Sequence, residues 1–172
     1  MNNAFLRADC ARCAALCCVA LAFDKSERFG IDKPAGQPCP HLHASHRCTI
    51  HAARGQSGFA GCVDYDCLGA GQRVTQEVFN GRTCWGDHAS LRRMMNAFRA
   101  MRKVHELLFL LQTAEQLQLS ANQRRTASLL VQHLSPRGGW TVDTLSAFER
   151  GTLPDTVHAF LKSLRRAARF AG

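Results

Sequence analysis

The stretch Asp9-Cys10-Ala-Arg-Cys13-Ala-Ala-Leu-Cys17-Cys18-Val-Ala-Leu-Ala-Phe23 places four cysteines inside nine residues and sets the reading of the whole amino-terminal half. Asp9 is a ready N-cap, and Ala, Leu and Cys fill the interior, so the pattern predicts a helix over 9–23. At about 100° per residue, with Cys10 at zero, Cys13 falls at about 300°, Cys17 at about 340° and Cys18 at about 80°. Three thiols then share one narrow face and can address one ion or cluster. Cys18 points elsewhere, toward a second ion or into the core.

Working outward, Cys39, Cys48, Cys62 and Cys67 follow in a segment punctuated by Lys33-Pro34-Ala35-Gly36, Pro38-Cys39-Pro40 and the glycine-spaced run 55–71. Nine of the thirteen glycines and three of the five prolines lie before residue 87, so turns dominate this half and its periodic apolar residues are too few for a large core of its own. Bound metal supplies folding free energy directly to such a segment. The eight candidate ligands are therefore Cys10, Cys13, Cys17, Cys18, Cys39, Cys48, Cys62 and Cys67. Soft thiolates in tetrahedral sets suit zinc or iron–sulfur; two four-thiolate ions, one bridged dinuclear site or a cubane with spare cysteines all fit the count. Zinc is placed ahead of iron or an iron–sulfur cluster. The alternative of buried reduced cysteines is opposed by their density and by the adjacent pair.

All nine cysteines lie between Cys10 and Cys84, and the last 88 residues contain none. An odd count fits poorly with a disulfide framework. The apolar run 14–23 has Asp9 and Arg12 before it, Asp24 and Lys25 after it, and no small-residue cleavage site, so no export signal is read and the cytoplasm is expected. The run 104–111 is broken by His105 and Glu106 and is too short to span a bilayer. The net charge of +9 is uneven: residues 1–86 carry nine Lys and Arg against seven acids, residues 87–172 thirteen against six. Eight thiolates around two divalent ions would add roughly −4 to the first half and leave the molecule polarised.

From Asp87, placed to cap, the pattern turns helical: Leu91, Met94, Met95, Phe98, Met101, His105, Leu108 and Phe109 recur on one face. Ser120 with Gln123 reads as a capping box for a helix over 121–134, and Ser135-Pro136-Arg137-Gly138-Gly139 ends it. A short helix is expected over 143–150 and a last one after Pro154, with Val157, Phe160, Leu161, Leu164 and Ala168 on one face. No solenoid-period repeat is visible. The expected fold is mainly α: an irregular, metal-stapled cysteine-rich module over 1–86 packed on an antiparallel helical bundle over 87–172.

The pattern C-x2-C-x3-CC, then a Cys-Pro, then Cys48-Thr-Ile-His51 followed by Arg54 and Cys62 resembles the YkgJ-type cysteine-cluster family. A closer likeness is to the non-repeat region of actinobacterial pentapeptide-repeat proteins, carried by Ile31-Asp-Lys-Pro-Ala-Gly-Gln-Pro-Cys39-Pro, Gly58-Phe-Ala-Gly-Cys62, Tyr65-Asp-Cys67-Leu-Gly-Ala-Gly-Gln72 and Val104-His-Glu-Leu-Leu108. The resemblance implies a zinc- or iron-chelating cysteine module with a helical extension. The A-D/N-L-x-x repeats of those relatives do not occur in this chain, so functions that rest on them are not implied.

Other chemistry is weaker. His41, His43, His46 and His51 cluster near Cys39 and Cys48, and His51 is either a ligand or a hydrogen-bond donor to a thiolate. Cys84 with His88 has metal spacing, but Trp85 beside them favours packing. His105, on the apolar face of the long helix, reads as a satisfied core histidine. Gly69-Ala-Gly71-Gln72 lacks the Walker lysine and reads as a tight loop presenting Cys67. Asp64 and Asp66 are read as acceptors of backbone hydrogen bonds, and no catalytic order is recognisable, so an enzyme is not expected. Two other functional classes stay open. Cys17-Cys18 and C-x2-C permit a thiol-redox sensor or enzyme. Arg92, Arg93, Arg99, Arg102 and Lys103, with Lys162, Arg165, Arg166 and Arg169, permit a basic nucleic-acid-binding regulator. Metal ions are the expected partners; a protein partner stays open and a membrane is not expected.

Overall fold

The computed structural model describes residues 3–83 and 86–170, with side chains over 5–83 and 86–164. It is mainly helical. After a 3-10 turn at Asn3–Leu6, the elements in chain order are α1 (Leu16–Ala20), α2 (Ala60–Asp64), α3 (Ala70–Arg73), α4 (His88–Ala114), α5 (Ala121–Leu134), α6 (Val142–Arg150) and α7 (Leu153–Phe170). Among the described residues, β pairing is confined to the bridges Phe23 with Lys33, Ser26 with Phe29 and Leu42 with Cys48.

Helix α4 is the axis. Asp87 accepts hydrogen bonds from the Ala89 and Ser90 amides, which satisfies two of the four orphan donors at its start. Met94, Phe98, Met101, Val104, Leu108 and Leu111 are fully buried, each contributing about 1.5–3 kcal/mol for the larger side chains. Ala97, Ala100 and Leu107 are buried as well, so the covered arc exceeds a single stripe. The reason is that α4 is packed on several sides, by α1 and α3 from the cysteine-rich half and by α5, α6 and α7. The first half thus borrows a core: Leu6, Ala14, Leu16, Val19, Ala20, Ala70 and Val74 belong to the same apolar cluster as the buried residues of α4.

The carboxy-terminal helices start where their caps place them. Ser120 and Gln123 form a reciprocal capping box for α5, and Thr141 with Thr144 does the same for α6. Trp140 donates to the Leu134 carbonyl at 3.2 Å and meets Phe148 edge-on at 5.6 Å, turning the chain between α5 and α6. Helix α7 begins at Leu153, so Pro154 lies in its first turn, where its missing N–H costs nothing. Val157 and Leu164 are buried and Phe160 and Leu161 pack beside them, while Ala168 falls outside the described side chains.

Two expectations are corrected. The single helix over 9–23 does not form. Cys10–Arg12 is a 3-10 turn, Ala15 adopts a left-handed conformation at φ 52°, and only α1 is α-helical. Phe109 does not join the buried face of α4; it is 47% exposed.

Candidate metal centre

The break at Ala15 is stabilised by residues some sixty positions away. Gln72 receives the Asp9 amide at 2.7 Å and donates to the Arg7 carbonyl, Thr75 receives the Ala14 amide at 3.0 Å, and Gln76 donates to the Arg12 carbonyl at 2.8 Å. All three side chains stand on α3 and the π-helical turn Val74–Val78 that continues it. Thr75 and Gln76 thereby satisfy the Ala14 amide and the Arg12 carbonyl, which a continuous helix over 9–23 would have paired internally. Gly69 opens α3 at φ 78°, and Gly71 lies so close to Cys13 that a Cβ there would meet its sulfur at 2.6 Å. The tight loop beside Cys67 is therefore also the seat of Cys13.

Opposite, the loop from Gly36 to Cys62 is laced onto α1. The Gly36 amide donates to the Val19 carbonyl at 2.8 Å and the Cys39 amide to the Cys18 carbonyl at 2.9 Å. Leu42 bridges Cys48, and Thr49 donates its amide to His41 at 2.8 Å. Arg54 then joins two segments, its Nε donating to the His51 carbonyl and its Nη1 to the Cys62 carbonyl, both at 2.9 Å.

Between these walls lies a cavity of about 530 Å³. Cys10, Cys13, Cys17, Cys18, Cys39, Cys48, Cys62 and Cys67 all line it. All eight are free thiols. An aromatic group forms part of the remaining wall: Phe23 stacks on Phe29 at 4.3 Å and meets Phe59 edge-on, and Phe59 meets His41 edge-on at 4.9 Å. His46 and His51 also reach the cavity, whereas His43 bonds Ser45. Cys84 lies outside the described residues, so its pairing with His88 is not described; His88 is exposed at the start of α4.

The thiols gather without converging. Cys17 and Cys18 sulfurs stand 4.0 Å apart, close to the edge of a tetrahedral thiolate site, about 3.8 Å for a metal–sulfur bond near 2.3 Å. Among the described residues, however, no three His, Cys, Asp or Glu side chains are already drawn together around one ion. The cavity equals a sphere about 10 Å across, wider than one such tetrahedron.

Electrostatics divide the thiols. Burial pushes Cys13 up to about 12 and pushes Cys10 up, and in both cases Cys17 and Cys67 add to the rise. Cys17 is raised first by its contact with Cys18 and then by burial. Burial also raises Cys48 and Cys62, where Cys17 and Cys39 contribute. Cys17 thus acts electrostatically both on Cys10 and Cys13, which also feel Cys67, and on Cys48 and Cys62, which also feel Cys39. Arg54 acts in the opposite sense on Cys10, Cys48 and Cys62, favouring their thiolates.

Two further groups behind the wall carry signals that cysteine spacing does not reveal. Lys33 is buried, with its Nζ donating to the Val19, Pro34 and Gln37 carbonyls and lying 5.4 Å from the Phe23 ring centroid. Burial lowers its titration, while Cys39, Cys18, Cys17 and Cys62 raise it. Tyr65 lines the cavity with Arg102 across its ring at 5.2 Å; burial raises its phenol, Arg102 opposes, and Cys67 and Cys17 add to the rise. Arg102 is engaged over the Tyr65 ring, and Arg165, Arg166 and Arg169 fall outside the described side chains. Asp66 accepts from the Leu68 amide at 2.7 Å, as expected, but Asp64 pairs with Arg28 instead of a backbone amide. His105 is a fully buried core histidine, its Nδ1 bonded to the Leu68 carbonyl at 2.5 Å. No helix among the described residues is long and apolar enough to cross a membrane.

The chain is similar to the uncharacterized protein YybG of Bacillus subtilis (strain 168), with 40% identity over 109 residues. The match covers 63% of this chain and 39% of YybG, so the chain spans well under half of that protein's length. No family model and no solved structure matches the chain.

Proposed function

We propose that this protein binds metal ions in a multi-cysteine centre, zinc first and iron or an iron–sulfur cluster as the alternative, in a structural, storage or sensing role. The observation that carries the reading is the shared cavity: eight cysteines spread over 58 residues line one chamber, together with aromatic, small apolar, histidine and arginine side chains. Thiolates are the donors that such soft-ligand centres use. The resemblance to YkgJ-type cysteine-cluster proteins supports the same chemistry.

The fit is to a polynuclear centre rather than a lone ion. A chamber wider than one thiolate tetrahedron has room for several metal atoms sharing the wall. The grouping around Cys17 supports two four-thiolate sets that meet at the Cys17–Cys18 pair: Cys10, Cys13, Cys17 and Cys67 on one side, Cys18, Cys39, Cys48 and Cys62 on the other. Bound metal would supply the charge that turns protonated thiols into thiolates and the free energy that holds the loop half in place. Lys33 and Arg54 offset the excess negative charge of such a centre. Without thiolates, the buried Lys33 ammonium faces no anion among the described residues.

The raised thiols also weigh against a redox sensor, whose reactive cysteine needs a depressed pKa and exposure. The test is anaerobic purification followed by alkylation with and without a chelator. Eight thiols protected until the chelator is added support the reading. Thiols modified at the same rate in both samples contradict it.

A further inference from the structure

The Tyr65 Oη is buried, and among the described residues it finds no hydrogen-bond partner. A buried hydroxyl left in that state carries the full cost of its desolvation, and native structures almost always supply a partner. Its position is not accidental to the fold. The Tyr65 amide donates to the Gly61 carbonyl at 3.1 Å, closing α2, and Arg102 covers the ring. The side chain is thus held from two directions along the wall of the thiol chamber. What this wall lacks is an acceptor. A neutral thiol is a weak acceptor, whereas a metal-bound thiolate or a sulfide is a charged one and takes a strong O–H hydrogen bond.

We infer that Tyr65 is a positioning residue of the metal centre, its hydroxyl donating a hydrogen bond to a metal-bound sulfur of the chamber. This rests on the metal-binding reading above and adds the group that selects for a filled, anionic chamber over an empty one. The occupied site gives the phenol its acceptor. The donated bond draws electron density from sulfur and holds that ligand in place.

The experiment compares the full-length chain with Tyr65→Phe, both loaded anaerobically with cobalt(II), whose thiolate complexes absorb by sulfur-to-metal charge transfer. Wild type is expected to show those bands. Tyr65→Phe should show them at longer wavelength, because a sulfur without the hydrogen bond is easier to oxidise, and should release cobalt to a chelator about tenfold faster. Metal-free Tyr65→Phe should melt at the same temperature as metal-free wild type or higher, since only an unsatisfied hydroxyl has been removed. Unchanged bands with unchanged release overturn the inference and leave metal binding standing. A lower melting temperature of the metal-free variant also overturns it, because the hydroxyl would then have a partner inside the protein. Wild type that takes up no cobalt overturns the metal reading and this inference together.

Discussion

Replacing His105 with Gln removes a built-in acid sensitivity from the packing of α4 against the cysteine-rich half. The imidazole is fully buried; its Nδ1–H donates to the Leu68 carbonyl at 2.5 Å, so Nε2 is left to accept from the Arg73 guanidinium at 3.2 Å. Protonation would put a second cation against Arg73, whose own partner is Glu77 at 2.9 Å. Burial, the larger cause, and Arg73 bring His105 down to about 4, with the Leu68 carbonyl and Glu77 opposing. In the unfolded chain the same group titrates near 6.5. The unfolded state therefore binds the extra proton first. Stability from this group is complete above about pH 6.5 and is lost as pH falls toward about 4, by about 3 kcal/mol in all and about 2 kcal/mol between pH 7 and pH 5. Carboxylates titrate in part of that window, so the measurement is a difference: urea unfolding of wild type and His105→Gln at both pH values. Wild type should lose about 2 kcal/mol more than the variant on acidification. Equal losses would refute the account of His105 as a neutral, Arg73-facing core group.

Other perturbations test separate parts of the structure. Leu108→Ala should cost about 2–5 kcal/mol, whereas Phe109→Ser beside it should stay within about 0.5 kcal/mol, as denaturant midpoints would show. Cys13→Ser and Cys48→Ser should each remove about half of the bound metal, which element analysis reads directly; loss of all metal in either variant would mean one indivisible cluster. Chelation should loosen the loop half while α5, α6 and α7 keep their helicity, seen as a small far-ultraviolet change with a large rise in thiol reactivity.

The helical half was legible because its signals are local. Asp87, and Ser120 with Gln123, mark helix starts through bonds spanning two or three residues, and the buried positions of α4 recur at helical spacing. Phe109 was misplaced for a reason outside the helix: which arc of α4 is covered depends on the elements packed around it. The stretch 9–23 failed for a related reason. Its composition favours a helix, but Gln72, Thr75 and Gln76 offer its amides and carbonyls partners from far along the chain, and Ala15 turns left-handed between them. Cys10, Cys13 and Cys17 consequently do not share one helical face. Their common neighbourhood arises instead from a turn, a break and a short helix folded over α3. The eight cysteines were visible as a compositional fact, whereas Lys33, Arg54 and Tyr65 acquire meaning only once the chain brings them to the chamber.

Element analysis of the full-length protein, purified without oxygen and quantified against protein concentration, tests the central claim most directly. The account predicts zinc or iron at two or more atoms per chain, lost together with thiol protection when a strong chelator is added. Protein that carries only traces of any transition metal, and takes up none when zinc or iron is supplied to the reduced chain, would contradict it.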